Sequence, residues 1–242
     1  MRLLFSFFIS MLLLESCNAI YIPATPSTPV FAKGNSLKIN STIGASGVNG
    51  SLDYSPINHI YLGGEAQGIR LMMLDSNRHL NLGGHIGYYL SPGDEDSHLN
   101  FQVGYTSGKS HYADVFDSTE SHLYSASSVY ATYHLQAFYV HDFRQSKVFG
   151  VGMRYDIYRG TYTDIKSRYY RKSIPEKTSF PMAFAFFEYA FGRNSPWNLN
   201  ALAGFQLSSE QVGDINVTQD VPRFYPNFIF RVGIAYQLHA KK

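Results

Sequence analysis

Phe228-Ile229-Phe230-Arg231-Val232-Gly233-Ile234-Ala235-Tyr236-Gln237-Leu238 is the stretch that decides the fold class. Phe228, Phe230, Val232, Ile234, Tyr236 and Leu238 share one face. Ile229, Arg231, Gly233, Ala235 and Gln237 share the other. Successive side chains alternate across a strand, so this period of two reads as β and not as a helix.

The same alternation recurs upstream. In 199–208, Leu199, Ala201, Ala203, Phe205 and Leu207 oppose Asn200, Leu202, Gly204, Gln206 and Ser208. In 148–158, Phe149, Val151, Met153, Tyr155 and Ile157 oppose Gly150, Gly152, Arg154, Asp156 and Tyr158. In 99–106, Leu99, Phe101, Val103 and Tyr105 oppose Asn100, Gln102, Gly104 and Thr106. Further strands are predicted over 36–45, 50–56, 60–69, 80–90, 129–141 and 181–192. That makes about ten, with eight or twelve also compatible, each close to the length that crosses a bilayer when tilted.

The connections add a second pattern. They are brief at Ile57 to His59, Ser91 to His98, Asp142 to Lys147 and Arg193 to Asn198. They are long at Gly108 to Ser128, Gly160 to Phe180 and Ser209 to Asn227. Only the hairpin at Gly47 to Asn49 breaks the trend. Short turns on one side and long loops on the other are the topology of outer-membrane barrels, with the short turns in the periplasm. The expected fold is an all-β, antiparallel, up-and-down transmembrane barrel over 35–242.

Composition agrees with that reading. Charged residues make up 16% of the 242 residues, against about 25% in an ordinary soluble domain, while 19 Tyr and 18 Phe supply bulk suited to lipid and its interface. A net charge of +2 gives no basis for nucleic-acid binding. The one basic stretch, Lys166 to Lys177, reads as a solvated loop, with a polyanion or lipopolysaccharide contact as the sharper alternative.

The N-terminus carries export signals. Arg2 precedes the apolar run Leu3 to Leu14, too short to span a bilayer, so residues 1–16 read as a signal peptide. Leu14-Glu15-Ser16-Cys17 matches a bacterial lipobox except at Glu15. Ordinary cleavage after Ala19 is the alternative. Cys17, the sole cysteine, is then the lipidation site, and no internal disulfide can form. Residues 17–34 are Pro- and Thr-rich (Pro23, Pro26, Pro29, Thr25, Thr28) and read as a lipidated end and an extended spacer before the barrel. With an even strand count, both termini are expected in the periplasm.

Period two alone does not say which face meets lipid, and a soluble barrel would turn its apolar face inward. The apolar face carries more Phe and Tyr than a narrow lumen holds. The other face carries Gly83, Gly87, Gly104, Gly150, Gly152, Gly204 and Gly233, which would relieve crowding inside a tight barrel. The lumen is therefore expected to be polar, with Lys38, Arg154 and Arg231 set against Asp53, Glu65, Asp156 and Glu188. Buried charges need partners, so these seven are read as a structural network filling the barrel. The alternative is the constriction of a small pore.

Candidate chemistry is sparse. The nine histidines show no HExxH-type spacing, so neither a metal nor any other cofactor is assigned. His85 and His134 fall on the lumen face. Ser110, His111, Asp114, Ser121 and His122 crowd one predicted outer loop, and a hydrolase triad there would need geometry that spacing cannot supply. Asp94-Glu95-Asp96 offers acidic groups, but on the predicted periplasmic side. No catalytic residue is assigned. Asn40-Ser41-Thr42 and Asn216-Val217-Thr218 match glycosylation sequons, and Asp117-Ser118-Thr119 looks like the acceptor of Bacteroidetes O-glycosylation.

Cys17-Asn18-Ala19-Ile20-Tyr21-Ile22-Pro23, then Thr28-Pro29, then Lys33-Gly34, resembles the opening of small Bacteroidetes outer-membrane barrel lipoproteins. Tyr54-Ser55-Pro56-Ile57-Asn58-His59-Ile60 resembles their first periplasmic hairpin. The likeness covers about the first 70 residues by motif and the rest by architecture. It implies a Gram-negative outer-membrane lipoprotein and carries no functional residues. Glu15 departs from the family pattern, and the end Leu238-His239-Ala240-Lys241-Lys242 departs from the aromatic terminus common in such barrels. The function expected is a structural or interaction scaffold. Its long loops would contact a protein or glycan partner, its wall would contact lipid, and the alternatives are a small pore, an outer-rim hydrolase or a soluble ligand-binding barrel.

Overall fold

The computed structural model describes residues 24–31, 34–44, 47–70, 78–91, 97–114, 124–143, 147–166, 177–191, 195–206 and 227–239. Its strands are β1 (Ser36–Gly44), β2 (Gly47–Ile57), β3 (Ile60–Arg70), β4 (Arg78–Leu90), β5 (Ser97–Asp114), β6 (Tyr124–Phe143), β7 (Lys147–Lys166), β8 (Lys177–Ala190), β9 (Trp197–Gln206) and β10 (Asn227–His239). Each pairs antiparallel with its neighbours in sequence, and β1 closes on β10 from Ser36↔His239 to Gly44↔Arg231. Closure removes both sheet edges. Among the described residues no helix is long and apolar enough to cross a membrane, which leaves open a crossing made by strands.

The predicted strands are all present, and three run further than their apolar alternation. β5 and β6 pair as far as Asp114↔Tyr124, and β7 extends to Lys166. The expected loops at 108–128 and 160–180 are therefore partly ladder. Beyond Gly108 the strands are rich in Ser, Thr and Tyr, which keep the β backbone without making an apolar stripe. Pro56 sits where the β2–β3 register shifts between Tyr54 and Ile57, a place where a missing N–H is tolerated. The turn at Asn58 and His59 follows, with His59 at φ 72°.

Burial alternates residue by residue. Met153 is 73% exposed, and its neighbour Arg154 is 1% exposed. Ile86, Tyr88, Phe101, Val103, Leu135, Tyr155, Leu199 and Ile234 all face outward. Lys38, Asp53, Gln102, Thr132, Gln136 and Asp156 face inward and are buried. At the short-turn ends of β4 and of β6 to β9, Tyr88, Tyr139, Phe149, Tyr189 and Trp197 are exposed aromatics along the rim.

The glycines make room for lumen rings. A Cβ on Gly87 would collide with the Tyr61 ring, and one on Gly150 with Phe186. One sector of the lumen is apolar: Phe138, Val140, Met182, Phe184, Phe186, Leu202 and Ile229 form a buried cluster from β6, β8, β9 and β10.

Candidate functional site: the lumen and its threaded segment

The seven lumen charges all lie inside the barrel, buried. Lys38 Nζ on β1 meets Glu188 Oε1 on β8 at 2.5 Å. Arg154 Nε on β7 meets Asp156 Oδ1 at 2.8 Å on the same strand. Arg231 donates to the Gly47 carbonyl at 3.4 Å. Asp53 is met by His85 Nε2 at 2.6 Å, and Glu65 accepts from Thr106 Oγ1 at 3.0 Å. Imidazole and hydroxyl groups thus serve Asp53 and Glu65. His134 also lies inside, against Gln102 at 3.4 Å.

The spacer reading of residues 17–34 is corrected over its described part. Ala24, Thr25, Ser27, Thr28 and Phe31 are buried inside the barrel. The wall holds this segment largely by its backbone. The Thr25 amide donates to Gln67 Oε1 at 3.2 Å, and Gln136 Nε2 donates to the Ser27 carbonyl at 2.7 Å. Lys38 Nζ donates to the Thr28 carbonyl at 3.3 Å, and Gln237 Nε2 donates to the Val30 carbonyl at 3.0 Å. The Ser27 hydroxyl reaches Asp53 at 3.2 Å. Val30 packs against the apolar cluster, and the Phe31 ring lies 5.8 Å from Tyr61 and 6.5 Å from Tyr89. The prolines explain why this stretch suits the lumen. Pro26 and Pro29 carry no N–H and fix φ, so the wall has fewer donors to satisfy and less chain entropy to offset.

The segment has a direction. Gln67 lies toward the end of β3 that leads into the 71–77 connection, whereas Tyr61 and Tyr89 lie beside the short turns. Gly34 donates to Asn58 Oδ1 at 2.7 Å in the turn itself. From Thr25 to Gly34 the chain therefore descends to the short-turn mouth, reverses at Asn35 with φ 56°, and climbs back as β1.

Nearer the other mouth, Tyr130, Tyr158 and Phe180 form an aromatic cluster. The Tyr130 hydroxyl contacts His79 Nε2 at 2.7 Å and bonds Asn81.

Ser110 and His111 of the candidate outer-loop triad do not come together. Ser110 and His111 are consecutive on β5 and point to opposite faces: Ser110 is buried against Ser128 at 2.7 Å, and His111 is exposed beside Ser127 at 2.9 Å. Asp114 ends β5, paired with Tyr124. Cys17, Ser121, His122, Asp94 to Asp96, residues 167–176 and the sequon at Asn216 lie outside the described residues. Asn40 is in β1, bonded to Asn200 at 2.6 Å. Among the described residues no group of three or more His, Cys, Asp and Glu could hold a metal ion.

No protein-family model matches the chain, and no curated protein matches it. Among solved structures the matches are remote. The translocator domain of the autotransporter NalP from Neisseria meningitidis matches over 83% of this chain and 86% of its own, at 12% identity and TM-score 0.45. The KdgM porin, solved with disordered oligogalacturonate, matches over 84% and 99%, at 14% identity and TM-score 0.39. The NanC porin matches over 84% and 99%, at 9% identity and TM-score 0.35.

Sequence reasoning found the charges and missed the residues that grip the segment: Gln67, Gln136 and Gln237. Their signal was present, since all three fall on the lumen face of their strands, but a glutamine announces a partner without saying which.

Proposed function

We propose that this protein is a Gram-negative outer-membrane barrel, closed by its own N-terminal segment, that serves as a structural and interaction scaffold. The observation that carries this reading is the pairing of an apolar outer wall with a lumen occupied by residues 24–31. A soluble protein rarely exposes contiguous apolar patches beyond several hundred Å², and here outward apolar side chains recur on every strand. In a bilayer the same wall is matched to lipid, with aromatics at the rim. The C-terminus, beside the short turns, lies in the periplasm, and an acyl group on Cys17 adds a lipid anchor.

The segment and the charge pairs favour a closed barrel over a pore. Planar-bilayer recordings test this. The full chain should give no stable conductance steps, and deletion of residues 24–31 should open them. Steps from the full chain would make the protein a pore. Within the loops expected at 160–180 and 209–227, the connections between strands, 167–176 and 207–226, are the proposed contact surfaces for a protein or glycan partner, and deleting either connection should abolish partner pull-down while the barrel keeps its fold.

A further inference from the structure

The direction of the threaded segment bears on where the N-terminus emerges. Going upstream from Gly34, the contacts climb the wall in order: Asn58 in the turn, Tyr61 and Tyr89 beside it, Gln237 and Lys38 next, then Asp53 and Gln136, and Gln67 last. Gln67 is three residues from the end of β3 at Arg70, about 10 Å along the strand. Ala24 lies inside the barrel one residue further upstream, with the short-turn mouth behind it.

The wall near and above this level carries matching chemistry. Gln67 Nε2, Asn81 Nδ2 and both amide atoms of Gln206 are buried with no hydrogen-bond partner among the described residues. Gln206 is the last residue of β9 before the 207–226 connection, and Asn81 is three residues from the same end of β4. These are donors and an acceptor of the kind that grips the backbone lower down. Buried polar groups of this sort call for partners.

We infer that the chain upstream of Ala24 leaves the lumen through the long-connection mouth. Resting on the membrane reading above, this puts the N-terminal end of the mature protein on the outer surface of the cell and the C-terminus in the periplasm. It replaces the expectation that both termini are periplasmic. The protein then shows the outside an N-terminal strand as well as its loops, and an acyl group on Cys17 would enter the outer leaflet. Reach is sufficient: Ala19 is six residues before Thr25, about 20 Å of extended chain, twice the remaining length of β3.

The test is cysteine labelling with a membrane-impermeant maleimide. Ala19→Cys is compared with Ser118→Cys in the 115–123 connection, Asp94→Cys in the 91–96 turn, and the wild type as the measure of Cys17 reactivity. Tyr21→Cys, retained whether cleavage falls before Cys17 or after Ala19, is read in place of position 19 should Ala19→Cys be lost with the signal peptide or fail to give a heat-modifiable barrel. The expected result is labelling of positions 19 and 118 on intact cells, and of position 94 only after permeabilisation. If position 118 labels on intact cells while position 19 labels only after permeabilisation, or only after unfolding, the inference is overturned and the membrane reading stands. If positions 94 and 118 label alike on intact cells, or the protein is soluble, both are overturned.

Discussion

Lys38 and Glu188, 150 residues apart in the chain, meet inside the barrel at 2.5 Å, although β9 and β10 separate their strands in the sheet. The pair therefore spans the lumen and does not run along its wall. The same ammonium holds the Thr28 carbonyl, so one side chain ties wall to wall and wall to threaded segment.

That arrangement sets the first prediction. Glu188→Ala strands a buried ammonium and should cost about 3–5 kcal/mol, read as a lower urea midpoint in detergent or vesicles. Lys38→Met combined with Glu188→Leu should recover most of that loss, because neither charge remains. A double variant as unstable as the single one would show that the Thr28 contact matters more than the ion pair.

The second concerns ring and glycine. Gly87→Ala puts a methyl group into the Tyr61 ring and should destabilise the barrel by about 1–3 kcal/mol. Tyr61→Ala in the same chain should remove the penalty of the added methyl, a coupling that a double-mutant cycle measures. Additive effects would mean that the two do not meet.

The third separates lipid from water outside the barrel. Leu135 is exposed mid-way along β6, between Val103 and Tyr155 on the flanking strands. Leu135→Arg should cost about 2–4 kcal/mol if it faces the bilayer midplane. The same change at a water-exposed site is close to neutral. Unfolding from vesicles decides between the two, and a neutral result would return the barrel to solution.

The fourth addresses the grip on the segment. Gln136→Ala and Gln237→Ala each leave a carbonyl of the threaded chain without its donor. Together they should raise the frequency of brief openings in bilayer recordings, with the barrel still heat-modifiable on gels. Unchanged silence would show that packing around Val30 and Phe31 suffices.

The fifth concerns Cys17. Cys17→Ala should abolish incorporation of labelled fatty acid. Persistent labelling would end the lipobox reading.

Strand count, order and facing were legible because lipid outside and polar groups inside impose opposite demands on alternate residues, as in Phe149 to Ile157. Legibility failed where that contrast was lost. On β8, Phe180, Met182, Phe184 and Phe186 point inward while Pro181, Ala183 and Ala185 point outward, so both faces are apolar and the buried sector was hidden. Residues 24–31 were misread for a related reason. Proline and threonine suit an extended chain in water and an extended chain in a polar channel equally well, and only the surrounding wall distinguishes them. The charges were found because a charge on a lumen face has few bland readings. Their pairing was not, since Lys38 and Glu188 come together only after ten strands have closed.

The reversal at Asn35 couples residues 24–31 to the seam between β1 and β10. β1 is both the return limb of the threaded segment and the strand that zips to β10 along Ser36↔His239 to Gly44↔Arg231. Sealing that seam encloses whatever the cylinder then contains, and a chain gripped at Thr25, Ser27, Thr28 and Val30 from several walls has no side door afterwards. The strand that follows the segment in sequence is thus also the strand that closes the sheet around it, so the grip on the segment and the closure of the cylinder depend on the same ladder.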